Sequence, residues 1–330
     1  MTIAGLGAYL PERVVTNDDL AATGLDTSDE WIRSRTGIVQ RHYAAPEQAT
    51  SDLALEAGKA ALADAGLGTD DVAAVIVATT TPDHMVPGTA PLVAAALGTE
   101  VGAFDVQAAC SGFVYALRVG TALALAEDAP VLVIGAETLS RIVDPRDRGV
   151  SILFGDGAGA VVVVPDETGR IGPFSLGADG RDPSMLWTAT GGTRAPVSHQ
   201  VVDDRSHFLT MRGGDVYRNA VSRMAAASRD VLEQAGLTID DVDLFIGHQA
   251  NVRILDAVAQ RVGIEPARCH VTVGQHGNTS AASVPLALAD ARDGGRLRPG
   301  DTVLLTAFGA GLTWGACLLT WNPTTGGGNA

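Results

Sequence analysis

Cysteine is scarce in this chain: 330 residues carry three, at positions 110, 269 and 317. No two of them have metal-ligand spacing and three thiols cannot all pair, so neither a disulfide framework nor a zinc site organises the fold. Reduced thiols in a cytosolic protein are expected. Basic charge is also short. The 23 Lys and Arg residues face 38 Asp and Glu, a net charge of −15, which argues against nucleic acid as a global partner and leaves room only for local basic patches. Lysine itself is nearly missing, with Lys59 standing alone. No apolar run approaches the roughly 18 to 20 residues that a membrane span needs. The start, "MTIAGLGAYLPERVVTN", lacks a basic n-region and meets Pro11 early, so it reads as a first strand and loop. A soluble, cytoplasmic chain is expected. What is present is apolar bulk, 46% hydrophobic residues with mean hydropathy +0.18, enough for one large core or two ordinary domains.

The chain repeats itself. "ALADAGLGTDDVAAVIVA" (61–78) and "VLEQAGLTIDDVDLFIGH" (231–248) match at 8 of 18 positions without a gap, at an offset of 170 residues. Each copy reads as a helix end at Ala-Gly-Leu, a turn with Asp-Asp, then a buried strand. A second pair, "FGDGAGAVVVV" (154–164) and "FGAGLTWGACLLT" (308–320), shares Phe-Gly-x-Gly ahead of an apolar strand. Continuous apolar strands such as "AVIVATT" and "VLVIGAE" alternate with Ala-rich helices, a pattern of sheets covered on both faces. Two fused α/β halves, stacked as α-β-α-β-α, follow, with residues 1–168 as the first and 169–330 as the second. The first half carries an extra segment, "TLSRIVDPRDRGVSIL" (138–153), that the second lacks, and such insertions tend to carry function. Residues 178–207 are polar and loop-like.

Three polar side chains stand out against this repeat. Cys110, in "FDVQAACSGFVYAL", lies between a strand and a helix start among small residues. It reads either as a nucleophile whose pKa the helix N-terminus lowers or as a small buried apolar residue. His248 ends the second-half strand where the first copy has Ala78, and strand C-terminal ends are where α/β proteins gather ligand groups. Asn278, in "VTVGQHGNTSAASVPLALADA", sits in what reads as the same strand–loop–helix design, so a two-fold relation brings it toward Cys110. It is equally an ordinary N-cap residue. "FGAG" (308–311) supplies turn amides suited to an oxyanion, or simply a tight turn.

Together, "DVQAACSGF", "GHQANVRI", "GQHGNTSAASVP" and "AFGAGLTWGA" resemble the β-ketoacyl-acyl-carrier-protein synthase III family of thiolase-fold condensing enzymes, nearly end to end. The resemblance implies a duplicated five-layered thiolase-like α/β fold, a homodimer, and an acyltransferase that needs neither metal nor cofactor. An acyl-CoA primer acylates Cys110, and malonyl-acyl-carrier protein then condenses with loss of carbon dioxide while His248 and Asn278 hold the thioester oxygen. The backbone amides of Cys110 and Ala310 would form the oxyanion hole. Trp31, Arg35, Thr36 and Arg148 would bind the CoA adenine end. Gly213, Tyr217, Ala250 and Asn251 would line the pantetheine channel, Val86 and Phe308 the primer pocket, and Arg218, Arg253 and Arg261 would dock the carrier protein.

Two departures qualify the likeness. The family's Phe-Gly-Gly-Gly has become "FGAG", so Ala310 can donate its amide only if its φ is negative. Val86 is smaller than the Phe of acetyl-specific members, which implies room for a longer or branched primer. Rival readings are a same-fold acyltransferase that acylates an alcohol or amine, a Cys-His-Asn thioester hydrolase, and a non-catalytic partner subunit. Retention of the cysteine and of both donors favours the synthase.

Overall fold

The computed structural model describes residues 1–166 and 169–322, so residue 168, the expected end of the first half, lies outside the described residues. Two sheets organise the chain. The five-stranded sheet runs Thr2–Tyr9, Gly157–Val164, Val131–Glu137, Ala74–Ala78, Gly102–Val106 in spatial order. The four-stranded sheet runs Arg170–Ala178, Thr313–Thr320, Thr302–Gly309, Leu244–Gly247. In both, the first two pairings are antiparallel and the next is parallel. The duplication seen in sequence is therefore a duplication of topology.

Side-chain alternation sets the layers. Ile76, Val133 and Val161 face inward and share one core with Ile246, Leu305 and Cys317 of the second sheet. Two helices, Gly112–Glu127 and Ser283–Asp293, fill that space. The opposite faces, Val75, Leu132 and Val162 on one sheet and Phe245, Leu304 and Leu318 on the other, are covered by outer helices. The result is the expected α-β-α-β-α order. By length and composition Ala109–Glu127 could cross a membrane, against the expectation from run lengths. Its place between two sheets accounts for its apolarity.

The matched segment 61–78 and 231–248 folds alike for local reasons. Each helix stops at a glycine in the left-handed region, Gly66 (φ 67°) and Gly236 (φ 69°), where a side chain would be strained. A 3₁₀ turn then leads to the strand, over Thr69–Asp71 and Ile239–Asp241. One expected strand fails to form. Ahead of Asn278 the second sheet has a single bridge, Phe245 to Cys269, because the Gln249 side chain takes over the backbone pairing. Its Nε2 donates to His270 O (3.2 Å), and its Oε1 accepts from the amides of Thr272 (2.8 Å) and Val273 (3.2 Å).

The halves meet at their central helix starts. Both enter through a non-glycine residue at positive φ, Ala109 (46°) and Ser280 (49°), each opening a 3₁₀ turn, Ala109–Ser111 and Ser280–Ala282. Each start is pressed by a strand of the other half. A Cβ on Gly309 would lie 2.6 Å from Cys110 N, and one on Gly135 would lie 2.4 Å from Ala281 O. Gly309→Ala must push these backbones apart, at an expected cost of about 1–3 kcal/mol. Urea unfolding measures it, and an unchanged midpoint would mean that the strand can retreat freely.

Candidate active site

Cys110, His248 and Asn278, each from a different element, open onto one cavity of about 620 Å³. Cys110 lies in the 3₁₀ turn ahead of Gly112–Glu127 and is 7% exposed. Burial pushes its thiol up to about 12, while the Ser280 hydroxyl beside the sulfur draws it down. The helix-start lowering expected from sequence is therefore outweighed, because desolvation penalises the thiolate more than one helix end favours it.

His248 directly follows the strand Leu244–Gly247, its amide bonded to Thr306 O at 2.7 Å. Burial holds its ring neutral, with the pKa down at about 3. Nδ1 sits 2.6 Å from Ser283 Oγ, and that oxygen also accepts the Gln249 amide at 3.4 Å. Among the described residues the Ser283 hydrogen has no other acceptor, so it points at Nδ1 and leaves the ring proton on Nε2. Asn278 is clamped by backbone bonds to Leu153 O and from Gly155 N, at 2.8 and 3.0 Å. Its Oδ1 accepts the Ser280 amide at 2.9 Å, which leaves Nδ2 as donor. The cavity is thus offered one thiol and two neutral N–H donors.

The buried histidine makes stability pH-dependent. Between pH 6.5 and 3 the unfolded chain binds a proton that folded His248 refuses, so its contribution is present above pH 6.5 and is lost as pH falls. From pH 8 to pH 5 the wild type should lose about 2 kcal/mol more than His248→Gln. Parallel urea midpoints for the two proteins across that range would contradict this.

Of the other residues singled out in sequence, Trp31, Arg35 and Thr36 line the cavity, as do Gly213, Tyr217, Ala250 and Asn251. Arg148 does not line it, although the neighbouring Gly149 does. Its guanidinium lies 4.5 Å over the Trp31 ring, which Arg35 also covers at 4.3 Å, and it donates to Asp26 O at 2.6 Å. Ala310 follows Gly309, which packs on Cys110 N, and it is not among the positive-φ residues, so the condition for amide donation is met. Arg253 lines the cavity and donates to Ser34 O at 2.8 Å. Arg218 is paired with Asp215. Arg261 lies at the far end of helix Val252–Val262, about 12 Å along its axis from Arg253.

Phe308 lines the cavity, but Val86 does not: it is 85% exposed. The reason lies in the next helix, Thr89–Leu97, whose first amides are held by Asp105, at 2.7 Å for both Thr89 and Ala90. That anchor fixes the turn beside the sheet-edge strand Gly102–Val106, so Val86 is no gate to this chain's own cavity. Conversely, the polar, loop-like stretch 178–207 contributes Leu186 to the cavity wall. It pairs as Leu186–Trp187 with Thr210–Met211 and is tied to the first-half insertion by Arg205 on Asp144 at 2.5 Å. The apolar run Met185-Leu186-Trp187 in an otherwise polar surround was its sequence signal.

A duplicated five-layer sandwich in which a cysteine, a neutral histidine and an asparagine meet at the central helix starts defines a thiolase-fold acyltransferase. Family models described as 3-oxoacyl-[acyl-carrier-protein] synthase III match residues 104–180, and as its C-terminal part residues 232–321, and the chain belongs to that family. It is 52% identical to β-ketoacyl-[acyl-carrier-protein] synthase III 3 of Streptomyces coelicolor over 324 residues, 97% of this chain and 96% of that one. Among solved structures it is similar to the β-ketoacyl-[acyl carrier protein] synthase III of Thermus thermophilus, with TM-score 0.91 and 48% identity over 98% of this chain and all of the other (100%). It is also similar to the priming β-ketosynthase of the R1128 polyketide pathway, with TM-score 0.90 and 36% identity over 98% and 96% of the two chains.

Proposed function

We propose that the protein condenses an acyl-CoA primer with malonyl-acyl-carrier protein, releasing carbon dioxide and forming a 3-oxoacyl-carrier protein. The observation that carries this is the donor pattern: His248 Nε2 and Asn278 Nδ2 remain free to donate beside Cys110. Two neutral donors stabilise an enolate oxygen as carbon dioxide leaves, and the new carbanion attacks the acyl group on Cys110. Decarboxylation supplies the carbanion, so no cofactor is required. The first half, 1–168, contributes the nucleophile, and the second, 169–330, contributes both donors. Ala310 and Cys110 amides hold the oxyanion of the acyl-transfer steps, and adenine stacking at Trp31 displaces the Arg148 guanidinium from that ring.

A Cys-His-Asn hydrolase is disfavoured by the same hydrogen bonds. Asn278 Oδ1 goes to Ser280 and His248 Nδ1 to Ser283, so the asparagine does not orient the histidine as a base-supporting partner.

The protein acts as a homodimer in this reading. Strand Gly102–Val106 ends its sheet with an open edge, Phe104 is exposed, and Met85 and Val86 stand in water beside it. Such an edge is ordinarily paired or covered. The resemblance puts Val86 at a primer gate, and its own cavity is out of reach, so it gates the partner's cavity. The carrier protein docks at Arg253 and Arg218 near the mouth. The likeness to a priming β-ketosynthase supports starter-unit formation for a polyketide alongside fatty acid initiation.

Intact mass after mixing with a panel of acyl-CoAs is the test. Adducts with branched or longer acyl groups at Cys110, followed by carbon dioxide release on adding malonyl-carrier protein, are expected. Acyl transfer to an alcohol or amine without carbon dioxide would replace the reading, and strict acetyl-CoA preference would refute the wider primer gate.

A further inference from the structure

Glu137 ends the strand Val131–Glu137 fully buried, directly behind the cysteine, and nothing above gives it a task. Its carboxylate accepts from Thr79 Oγ1 (3.2 Å), the Thr80 amide (3.1 Å), the Thr80 hydroxyl (3.0 Å), Thr81 Oγ1 (2.6 Å) and Ser280 Oγ (2.9 Å). The hydroxyl directions follow from their other bonds. Thr81 Oγ1 already accepts the Thr138 amide (2.9 Å), and Thr79 Oγ1 the Thr81 amide (3.0 Å), so each turns its hydrogen to the carboxylate. Three of the five, the Thr79 and Thr81 hydroxyls and the Thr80 amide, are fixed as donors, a surround that favours the ionised carboxylate against its burial. None of these partners is a cation. A buried carboxylate held by hydroxyls and one backbone amide, with no cation, is costly, and desolvation pushes its pKa up.

Ser280 joins this carboxylate to the nucleophile. Its hydroxyl lies 2.9 Å from Glu137 Oε1 and against the Cys110 sulfur, and its amide holds Asn278 Oδ1. The left-handed backbone at Ser280, φ 49°, is what allows one residue to face all three, a strain of the kind kept at working sites.

Acylation needs the thiol proton removed. A thiol pushed up to about 12 is almost wholly protonated at neutral pH, and an imidazole pushed down to about 3 is a poor acceptor for its proton. The carboxylate behind Ser280 is the remaining acceptor in contact with the sulfur through hydrogen bonds.

We propose that Glu137, acting through Ser280, takes the Cys110 proton when the cysteine is acylated, stores it through the life of the acyl-enzyme, and returns it when the thiolate is released. In the first step the S–H bond breaks, its proton passes to Ser280 Oγ, and the serine's own hydrogen passes to Glu137 Oε1. The thiolate then forms the C–S bond to the acyl carbonyl carbon, and the CoA thiolate leaves, taking a proton from solvent. In the second step the malonyl carboxylate departs as carbon dioxide without proton transfer. The carbanion bonds to the acyl carbon, the acyl C–S bond breaks, and Cys110 thiolate regains its proton from Glu137 through Ser280. One proton is consumed from solvent per turnover, by CoA. The inference rests on the reading that Cys110 is acylated.

The test compares wild type, Glu137→Gln and Ser280→Ala. Three rates are followed from pH 6 to 10: alkylation of Cys110 by iodoacetamide, single-turnover acylation by a primer the wild type accepts, and carbon dioxide release from malonyl-carrier protein. Both variants are expected to lose about 100-fold in alkylation and acylation at pH 7, with the deficit shrinking as hydroxide takes over the proton, while carbon dioxide release stays within about threefold. Wild-type alkylation and acylation rates in both variants would overturn the proposal. So would an equal loss of all three rates with a lowered Tm, the mark of a merely structural network. If Glu137→Gln does not fold, Ser280→Ala decides by the same criteria. Alkylation by iodoacetamide needs no acyl-CoA, so a wild type that no acyl-CoA acylates defeats the underlying reading, while slowed alkylation in the variants still upholds the proton path.

Discussion

Cys110→Ala carries no acyl group after mixing with any acyl-CoA, and its condensation rate falls by a factor on the order of 10⁶, the scale of losing a covalent nucleophile. The fold survives the change. Cys110 sits in a turn packed by backbone, with Gly309 against its amide, and truncation to alanine removes one buried sulfur, a cost of about 1 kcal/mol. The informative part is what remains. His248 and Asn278 are held by Ser283, Ser280 and the 153–155 backbone, none of which depends on the sulfur. Carbon dioxide release from malonyl-carrier protein therefore continues in Cys110→Ala, uncoupled from carbon–carbon bond formation. Headspace carbon dioxide measured beside intact mass checks both halves of the expectation. Loss of decarboxylation together with acylation would mean that the cysteine belongs to the enolate site, and the separation of roles would fall.

The complementary change is Asn278→Ala. It removes one of two donors to the enolate oxygen, for which a loss of about 100- to 1,000-fold in condensation is expected. Acylation of Cys110 should proceed at close to the wild-type rate, because Asn278 Nδ2 has no part in it. Its Oδ1 does hold the Ser280 amide, so Asn278→Asp is the companion: it keeps that acceptor and replaces the donor by a second acceptor. Loss of condensation in both variants with acylation intact in Asn278→Asp assigns the defect to the missing N–H. Loss of acylation in both would assign Asn278 to the first chemical step and sink its proposed role.

The duplication was legible because its markers are local. Gly66 and Gly236 stop their helices at positive φ whatever packs around them, and the Asp-Asp turns follow from neighbours three residues apart. The meeting of Cys110, His248 and Asn278 was legible through the repeat, which puts two similar helix starts at one centre. What stayed hidden depends on partners far away in sequence. The surroundings of the Cys110 thiol include residues more than 150 positions on, Gly309 against its backbone and Ser280 beside its sulfur, so the balance that sets its shift could not be read from a helix start. Glu137 looked like the end of an apolar strand, since the hydroxyls that give it meaning come from residues 79–81 and 280. A charged residue closing "VLVIGAE" beside "ATTT" was the available signal. The position of Val86 follows from Asp105 capping the next helix, a contact between a loop and a strand edge that no periodicity announces.

The paired helix starts have a consequence for stoichiometry. Ala109 and Ser280 take the same left-handed turn, and the residues that follow them, Cys110 and Ala281, each meet a glycine strand of the opposite half. The architecture provides two seats for a nucleophile and only one is filled. A chain with this duplicated topology is therefore expected to titrate with a single acyl equivalent, and in the proposed mechanism the vacant seat at Ala281 frees Ser280 and Asn278, on its own turn, to serve the cysteine across the axis.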